Sequence, residues 1–295
     1  MKRYMVVGPV VVLGFFIGGA AAALKDSFRF TPINVPGATV TMATAINNRG
    51  EVVGLFIGAS GTTHGFLDIR DNLTVVDVPG ALFTSISGIN DRGEIVGLFG
   101  DANGVTHGFL GREGSFTDID EPGPLFTNPL GINDRGEIVG LFFNTNATVE
   151  SFLFVKGSFT TINVPGALTF SQASGINDRG EIVGSFSDAS QHSHGFLFTH
   201  GFFTGIDVPG ATDTTPQGIN NRGQIVGTFS KEGRGMGFLD SGGSFTTIDV
   251  PGATDTDLFG VNDEGEIVGL FTDASGGFHA FLASPARGHD LPSQH

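Results

Sequence analysis

Short runs of Ile, Val, Phe and Thr alternate along this chain with clusters of Gly, Pro, Asn and Asp, and the alternation recurs six times. The repeated phrase is Gly-Ile-Asn-Asp-Arg-Gly-Glu-Ile-Val-Gly. Its first Asn falls at Asn47, Asn90, Asn133, Asn177, Asn220 and Asn262, at spacings of 43, 43, 44, 43 and 42 residues. A fixed period of that length marks a repeat architecture, in which neighbouring units bury one continuous core. Each unit holds four strand-like segments. The first ends at Gly-Ile-Asn, as in 83–89 and 170–176. The second is Glu-Ile-Val-Gly-x-Phe, as in 94–99. The third opens His-Gly-Phe-Leu, as in 107–110. The fourth is Phe-Thr-x-Ile-Asp-Val before a Pro-Gly, as in 116–120 and 245–250. Such β-branched and aromatic runs, bounded by turn residues, predict strands.

Four short strands in about 40 residues predict a β-propeller blade. The two ends of the repeat region decide the closure. The first segment, 28–35, is a lone fourth strand. The last unit runs through its third strand at His279-Ala280-Phe281-Leu282 and has no fourth. The counts balance only if the first segment completes the last unit. The expected fold is therefore all-β: a six-bladed β-propeller, four antiparallel strands per blade, with the N-terminal strand closing the ring and removing open sheet edges. Two residues before each repeat Asn stand Ala45, Gly88, Gly131, Gly175, Gly218 and Gly260. Small residues are required there if the first strands converge on an axis. The Asn-Asp-Arg-Gly turn suits a tight hairpin with a bulge, because Asn bonds back to its own backbone and Gly accepts positive φ.

The first 23 residues are a different kind of sequence. Lys2 and Arg3 precede an uncharged apolar run over 5–19 and an Ala-rich stretch over 20–23, the pattern of a secretory signal peptide cleaved after Ala22 or Ala23. The run is short for a spanning helix, which needs about 20 residues. The expected organisation is signal peptide 1–23, propeller 24–285 and a polar, disordered tail 286–295, secreted to the periplasm or the cell exterior. The whole chain has a net charge of −15, with 30 acidic and 15 basic residues. Loss of Lys2 and Arg3 takes the mature chain to −17. That balance argues against phosphate-backbone binding and against docking on anionic lipid. The chain has no Cys or Trp, and its single Tyr is Tyr4. Stability must then come from core and closure. The expected state is a monomer that takes a small polar ligand, a glycan or a protein as partner.

The segments His-Gly-Phe-Leu and His279-Ala280-Phe281, joined to Ile-Asn-Asp-Arg-Gly-Glu-Ile-Val-Gly, resemble the bacterial extracellular repeats called the HAF family. The resemblance covers nearly all of the chain after the signal. Two units depart from it, since Glu150-Ser151-Phe152 and Met236-Gly237-Phe238 lack the His. It implies an exported propeller and carries over no catalytic residue.

The candidate chemistry is sparse. There is no Gly-x-Ser-x-Gly elbow and no phosphate loop followed by a helix. His64, His107, His194 and His279 open the third strand, too far from an axis to share one ion, and are expected to bond backbone groups within their own blades. Glu51, Glu94, Glu137, Glu181 and Glu266, with Gln224 in the fifth unit, are expected to pair with the neighbouring Arg. The asymmetry lies elsewhere. Five residues before each repeat Asn stand Met42, Ser85, Asn128, Gln172, Thr215 and Asp257, a varied set near the axis suited to a small polar ligand. One residue earlier a hydroxyl recurs, at Thr41, Thr84, Thr127, Ser171, Thr214 and Thr256, and is counted with that set. Asp213, Asp255 and Asp257 are the weak metal candidates, and calcium is the one cofactor they would suit. The expected function is a non-catalytic binding scaffold. The alternatives are an extracellular propeller lyase or hydrolase acting on glycans, and a purely structural surface protein.

Overall fold

A computed structural model describes residues 28–286. The signal expected over 1–23, and the expected tail beyond residue 286, lie outside them. The 24 strands form six four-stranded antiparallel sheets. Blade 2 is typical, with an inner strand Phe83–Ile89, a second strand Ile95–Gly100, a third Thr106–Arg112 and an outer strand Ser115–Asp118. Blade 6 takes its outer strand from the start of the chain. Phe28–Ile33 pairs with Phe278–Pro285 in register from Phe28 opposite Pro285 to Ile33 opposite Ala280. The six-bladed ring and its closure by the N-terminal strand are as the strand count required.

The outer strands end about two residues earlier than the pattern suggested, and the reason is a side chain. Beyond Asp118, the Asp120 carboxylate accepts the Gly108 N–H at 3.0 Å and stands 2.6 Å from His107 Nδ1. Carboxylate bonding thus replaces part of the ladder at the end of the sheet. Between blades, the core is built from alternate residues. Phe66, Phe109, Phe152, Phe196, Phe238 and Phe281, one per third strand, are almost wholly buried. Full burial of each such ring contributes about 1.5–3 kcal/mol.

Each inner strand carries a β-bulge, as between Ile86 and Gly88. The bulge drives the carbonyl of the preceding residue over the second strand. A Cβ at Gly97 would sit 2.0 Å from Ser85 O, and one at Gly54 only 1.9 Å from Met42 O. The Gly of Glu-Ile-Val-Gly is therefore demanded by the bulge. At the axis, a Cβ at Gly88 would meet Leu130 O at 2.9 Å and Gly131 Cα at 3.3 Å. The inner strands do converge where the small residues predicted it.

Candidate functional site

The propeller has two unlike faces. One carries the tight turns between inner and second strands. In each, the Asn side chain organises its own hairpin. Asn133 Oδ1 accepts the N–H groups of Arg135 and Glu137, both at 3.0 Å. Gly136 takes φ of 74°, a left-handed conformation that Gly adopts without strain. The Asn amide then reaches across the blade boundary. Asn47 Nδ2 donates to Asn90 O, Asn90 to Asn133, Asn133 to Asn177, Asn177 to Asn220 and Asn220 to Asn262, at 2.9–3.1 Å. Asn262 closes the circle on Asn47 O at 3.3 Å.

A second circle lies beside the first. Asn48 N donates to Asp91 Oδ1, and so on through Asp134, Asp178, Asn221 and Asp263 back to Asn48, each at 2.7–2.8 Å. Burial, outweighing the bond from Asp91 N and joined by the neighbouring Asp178 and Asp91, raises Asp134 above the usual carboxylate range. Sequence reasoning read these residues as turn formers only. The turn Glu residues behave as expected where an Arg is present. Arg49, Arg92, Arg135 and Arg179 pair with the Glu two residues on at 2.5–2.6 Å. Gln224 and Glu266 depart from that expectation and keep only the bond every turn shares, from the Asn amide, at 2.8 and 2.9 Å, since Gln224 is uncharged and Glu264 stands where the other turns have Arg.

Along the axis the inner strands enclose a cavity of about 200 Å³. Its wall is mostly backbone at the small-residue ring. The side chains that distinguish one sector from another are Thr44, Ser87, Leu130, Ser174, Gln217 and Phe259. These stand three before the repeat Asn, a position the sequence reading passed over. A ring of Ile46, Ile89, Ile132, Ile176, Ile219 and Val261 separates it from a smaller cavity of about 70 Å³ at the Asn mouth.

The predicted ligand ring, Met42, Ser85, Asn128, Gln172, Thr215 and Asp257, does not line that cavity. They stand two residues earlier on each inner strand, toward the face opposite the tight turns. Gln172 Nε2 donates to the lining residue Ser174 at 3.0 Å, which ties the two levels together. Asn128 Oδ1 is buried without a protein partner. Asp257 accepts the Thr228 hydroxyl at 2.9 Å, and burial, together with the nearby Asp255, raises its carboxyl above the usual range despite that bond.

The hydroxyls one residue earlier have a different role from the one expected. Thr41, Thr84, Thr127, Thr214 and Thr256 accept the N–H of a residue two or three positions beyond the outer strand of the previous blade, at 3.0–3.2 Å. They latch blade to blade. Ser171 joins its blade to the third strand of the previous one instead, accepting Ser151 N and the Ser151 hydroxyl, both at 3.0 Å. The weak metal candidates occupy two seams. Asp213 accepts Ser193 N and Asp255 accepts Gly235 N, each at 2.9 Å. Among the described residues no three His, Asp or Glu side chains converge on one point.

The four His residues bond carboxylates rather than backbone, correcting that expectation. His64 Nδ1 stands 2.7 Å from Asp77, His107 Nδ1 2.6 Å from Asp120, and His279 Nε2 2.7 Å from Asp273. His194 lies between Asp207 at 3.2 Å and Asp188 at 3.4 Å. Each also packs on the Phe opposite it in the second strand, with centroids 4.9–5.6 Å apart. The bond to Asp120 raises His107 above its ordinary 6.5. Burial opposes the charge on His194, yet Asp207 and Asp188 together raise it. Asp101 is lowered chiefly by Val105 N, Asp188 by His192 N, and Asp273 by the Ser275 hydroxyl and His279.

These directions set a pH dependence. A His raised on folding stabilises fully below its unfolded value of about 6.5, and that contribution disappears as pH rises through the folded value. The lowered Asp residues contribute above about 3.9 and lose it on acidification, while raised Asp134 and Asp257 act in the opposite sense there. The melting temperature is expected to fall modestly between pH 6 and pH 8. A His107→Asn, His194→Asn double variant should flatten that slope in thermal melts. An unchanged slope would show that the His pairs do not stabilise the fold.

No protein-family model matches the chain, and the search of curated proteins finds no relative. Solved propellers do resemble it. A gluconolactonase from Xanthomonas campestris is 15% identical with a TM-score of 0.58, covering 90% of this chain and 94% of its own. The β-propeller domain of the Trilobed protease from Pyrococcus furiosus is 12% identical with a TM-score of 0.55, covering 88% and 99%. The fucose-specific lectin from Aleuria aurantia is 11% identical with a TM-score of 0.55, covering 88% and 100%. At such identities the likeness establishes the fold alone.

Proposed function

We propose that this protein is an exported, non-catalytic binding scaffold that holds a small polar ligand, such as a glycan unit, at the centre of the ring. The observation that carries the reading is where the six-fold pattern breaks. Turns, bulges, small residues and Asn circles repeat around the axis, while the cavity ring from Thr44 to Phe259 holds five residue types in six sectors and the level above it from Met42 to Asp257 differs in every sector. Only asymmetry gives a ring one preferred orientation for a ligand. Export rests on the signal-like residues 1–23, and the HAF resemblance agrees with it. The gluconolactonase and lectin neighbours make sugar chemistry a reasonable first panel.

The test is a thermal unfolding screen against sugars, oligosaccharides and divalent ions, calcium included. A ligand at 100 times its Kd stabilises by about 2.7 kcal/mol. A sugar is expected to raise the midpoint, and Gln217→Ala in the cavity wall and Gln172→Ala, bonded to the wall at Ser174, are each expected to remove most of the rise. If no small polar ligand shifts the midpoint, or if both variants keep the full shift, the axial reading is wrong. The raised carboxyl of half-buried Asp257 favours one second reading, a glycan-cleaving enzyme with Asp257 as proton donor. Turnover of any oligosaccharide that is lost in Asp257→Asn would select it.

A further inference from the structure

The seam between blades 3 and 4 departs from the other five in three ways at once. Elsewhere a basic side chain begins the third strand. It is His in blades 1, 2, 4 and 6. In blade 5 the same region holds Arg234, whose guanidinium bonds Asp249 at 2.9 Å. Blade 3 has Glu150 there, and its outer strand is followed by Asn163, where blades 1, 2, 4 and 5 have Asp77, Asp120, Asp207 and Asp249 and blade 6 shares an Asn, Asn34. The connection to blade 4 is one residue longer, and its hydroxyl latch is moved, because Ser171 bonds Ser151 of the third strand in place of a backbone N–H beyond the outer strand. Lacking a His to cover it, Phe142 stacks on Phe152 at 4.7 Å instead.

The result is a cavity of about 300 Å³ on the variable-loop face, larger than the axial one. Its polar wall is Thr148, Glu150, Thr161, Asn163, Thr169 and Ser171, and Val149, Leu168 and Phe170 contribute apolar surface. Leu168 is 66% exposed at its rim. Glu150 accepts the Thr148 hydroxyl at 3.2 Å and has no basic partner among the described residues. Thus the seam holds a carboxylate and an amide where blades 1, 2 and 4 hold a His and an Asp.

We infer that the cavity between blades 3 and 4 binds a small organic cation, a protonated amine or a guanidinium compound, with Glu150 as its counter-ion. The ligand's charged group lies against Glu150, which stands where blades 1, 2, 4 and 6 carry their His. Its body lies among the Thr hydroxyls and against Leu168. The size suits a single ring or a short chain, at the lower end of small-molecule sites. An ionic bond at a partly closed carboxylate is stronger than a neutral one of the same geometry. Charge therefore decides the ligand class, and a neutral compound of equal shape binds less well. This site is separate from the axial one.

The experiment is an amide-resolved NMR titration of the full mature chain with glucosamine and with methylguanidinium, using glucose as the neutral control. Both cations are expected to give saturable shifts confined to 148–151 and 161–171, and glucose none there. Glu150→Gln is expected to weaken binding about tenfold. The double variant Glu150→His, Asn163→Asp rebuilds the pair found in blades 1, 2 and 4. It is expected to raise the melting temperature and abolish binding. Absence of shifts with both cations overturns the inference. So does equal binding of glucose, or an unchanged affinity in Glu150→Gln.

Discussion

Asn133→Ala is expected to lower the stability of the propeller by about 3 kcal/mol or more. Asn133 is 3% exposed and uses every hydrogen-bonding position of its amide. Its oxygen accepts Arg135 N and Glu137 N, and its nitrogen donates to Glu137 Oε2 at 2.7 Å and to Asn177 O at 3.0 Å. Alanine leaves two backbone N–H groups and one carbonyl without those partners, and each buried orphan costs about 1–3 kcal/mol. For a chain of this size, the midpoint should fall by roughly 6–12 °C. Asn133→Asp separates the two roles of the amide. It keeps the acceptor for the turn, but sets a carboxylate against Glu137 and the Asn177 carbonyl. It should therefore also destabilise at neutral pH, and recover partly on acidification. A loss below about 0.5 kcal/mol for Asn133→Ala, measured by chemical denaturation, would mean that the circle of amides adds nothing beyond the local turn.

The second large effect is expected at Gly140. An alanine there would place its Cβ 2.0 Å from Asn128 O and 2.9 Å from Phe152 Cε1. The first neighbour is backbone, fixed by the bulge between Pro129 and Gly131, so it cannot rotate aside. Overpacking in a well-filled interior costs typically about 1–3 kcal/mol, and a backbone clash belongs at or above the upper end. Gly140→Ala should leave a protein that melts several degrees lower or is recovered poorly in soluble form. Gly205→Ala is the control, because a Cβ there meets nothing within 4 Å and its backbone has no positive φ. Its stability should stay within about 0.5 kcal/mol of the parent. Equal effects at the two positions would contradict the role given to the bulge.

Both predictions concern residues that the repeat displays six times and whose purpose the repeat does not reveal. Asn133 read as a turn residue because its local bonds are sequence neighbours. Its bond to Asn177 joins residues 44 apart, and the circle closes through Asn262 and Asn47, 215 apart. Gly140 read as part of a strand because nothing in its flanking residues announces a bulge in the strand beside it. The His residues were placed in the right strand and given the wrong partners, since Asp120 lies 13 positions from His107 and is brought to it only by pairing of the third and outer strands.

The sequence by itself determined the number of blades, the four strands of each and the closure by 28–33. Those follow from period, alternation and a count of segments, all local properties. Tertiary structure decided which ring lines the cavity, that the Thr hydroxyls latch blades, and that the seam after blade 3 stands open. Each of these depends on groups from neighbouring blades meeting in space. A repeated motif fixes what every blade contains, but only ring closure puts one blade's amide on the next blade's carbonyl. It is there, at the contacts between units, that one inserted residue and one His replaced by Glu change the surface.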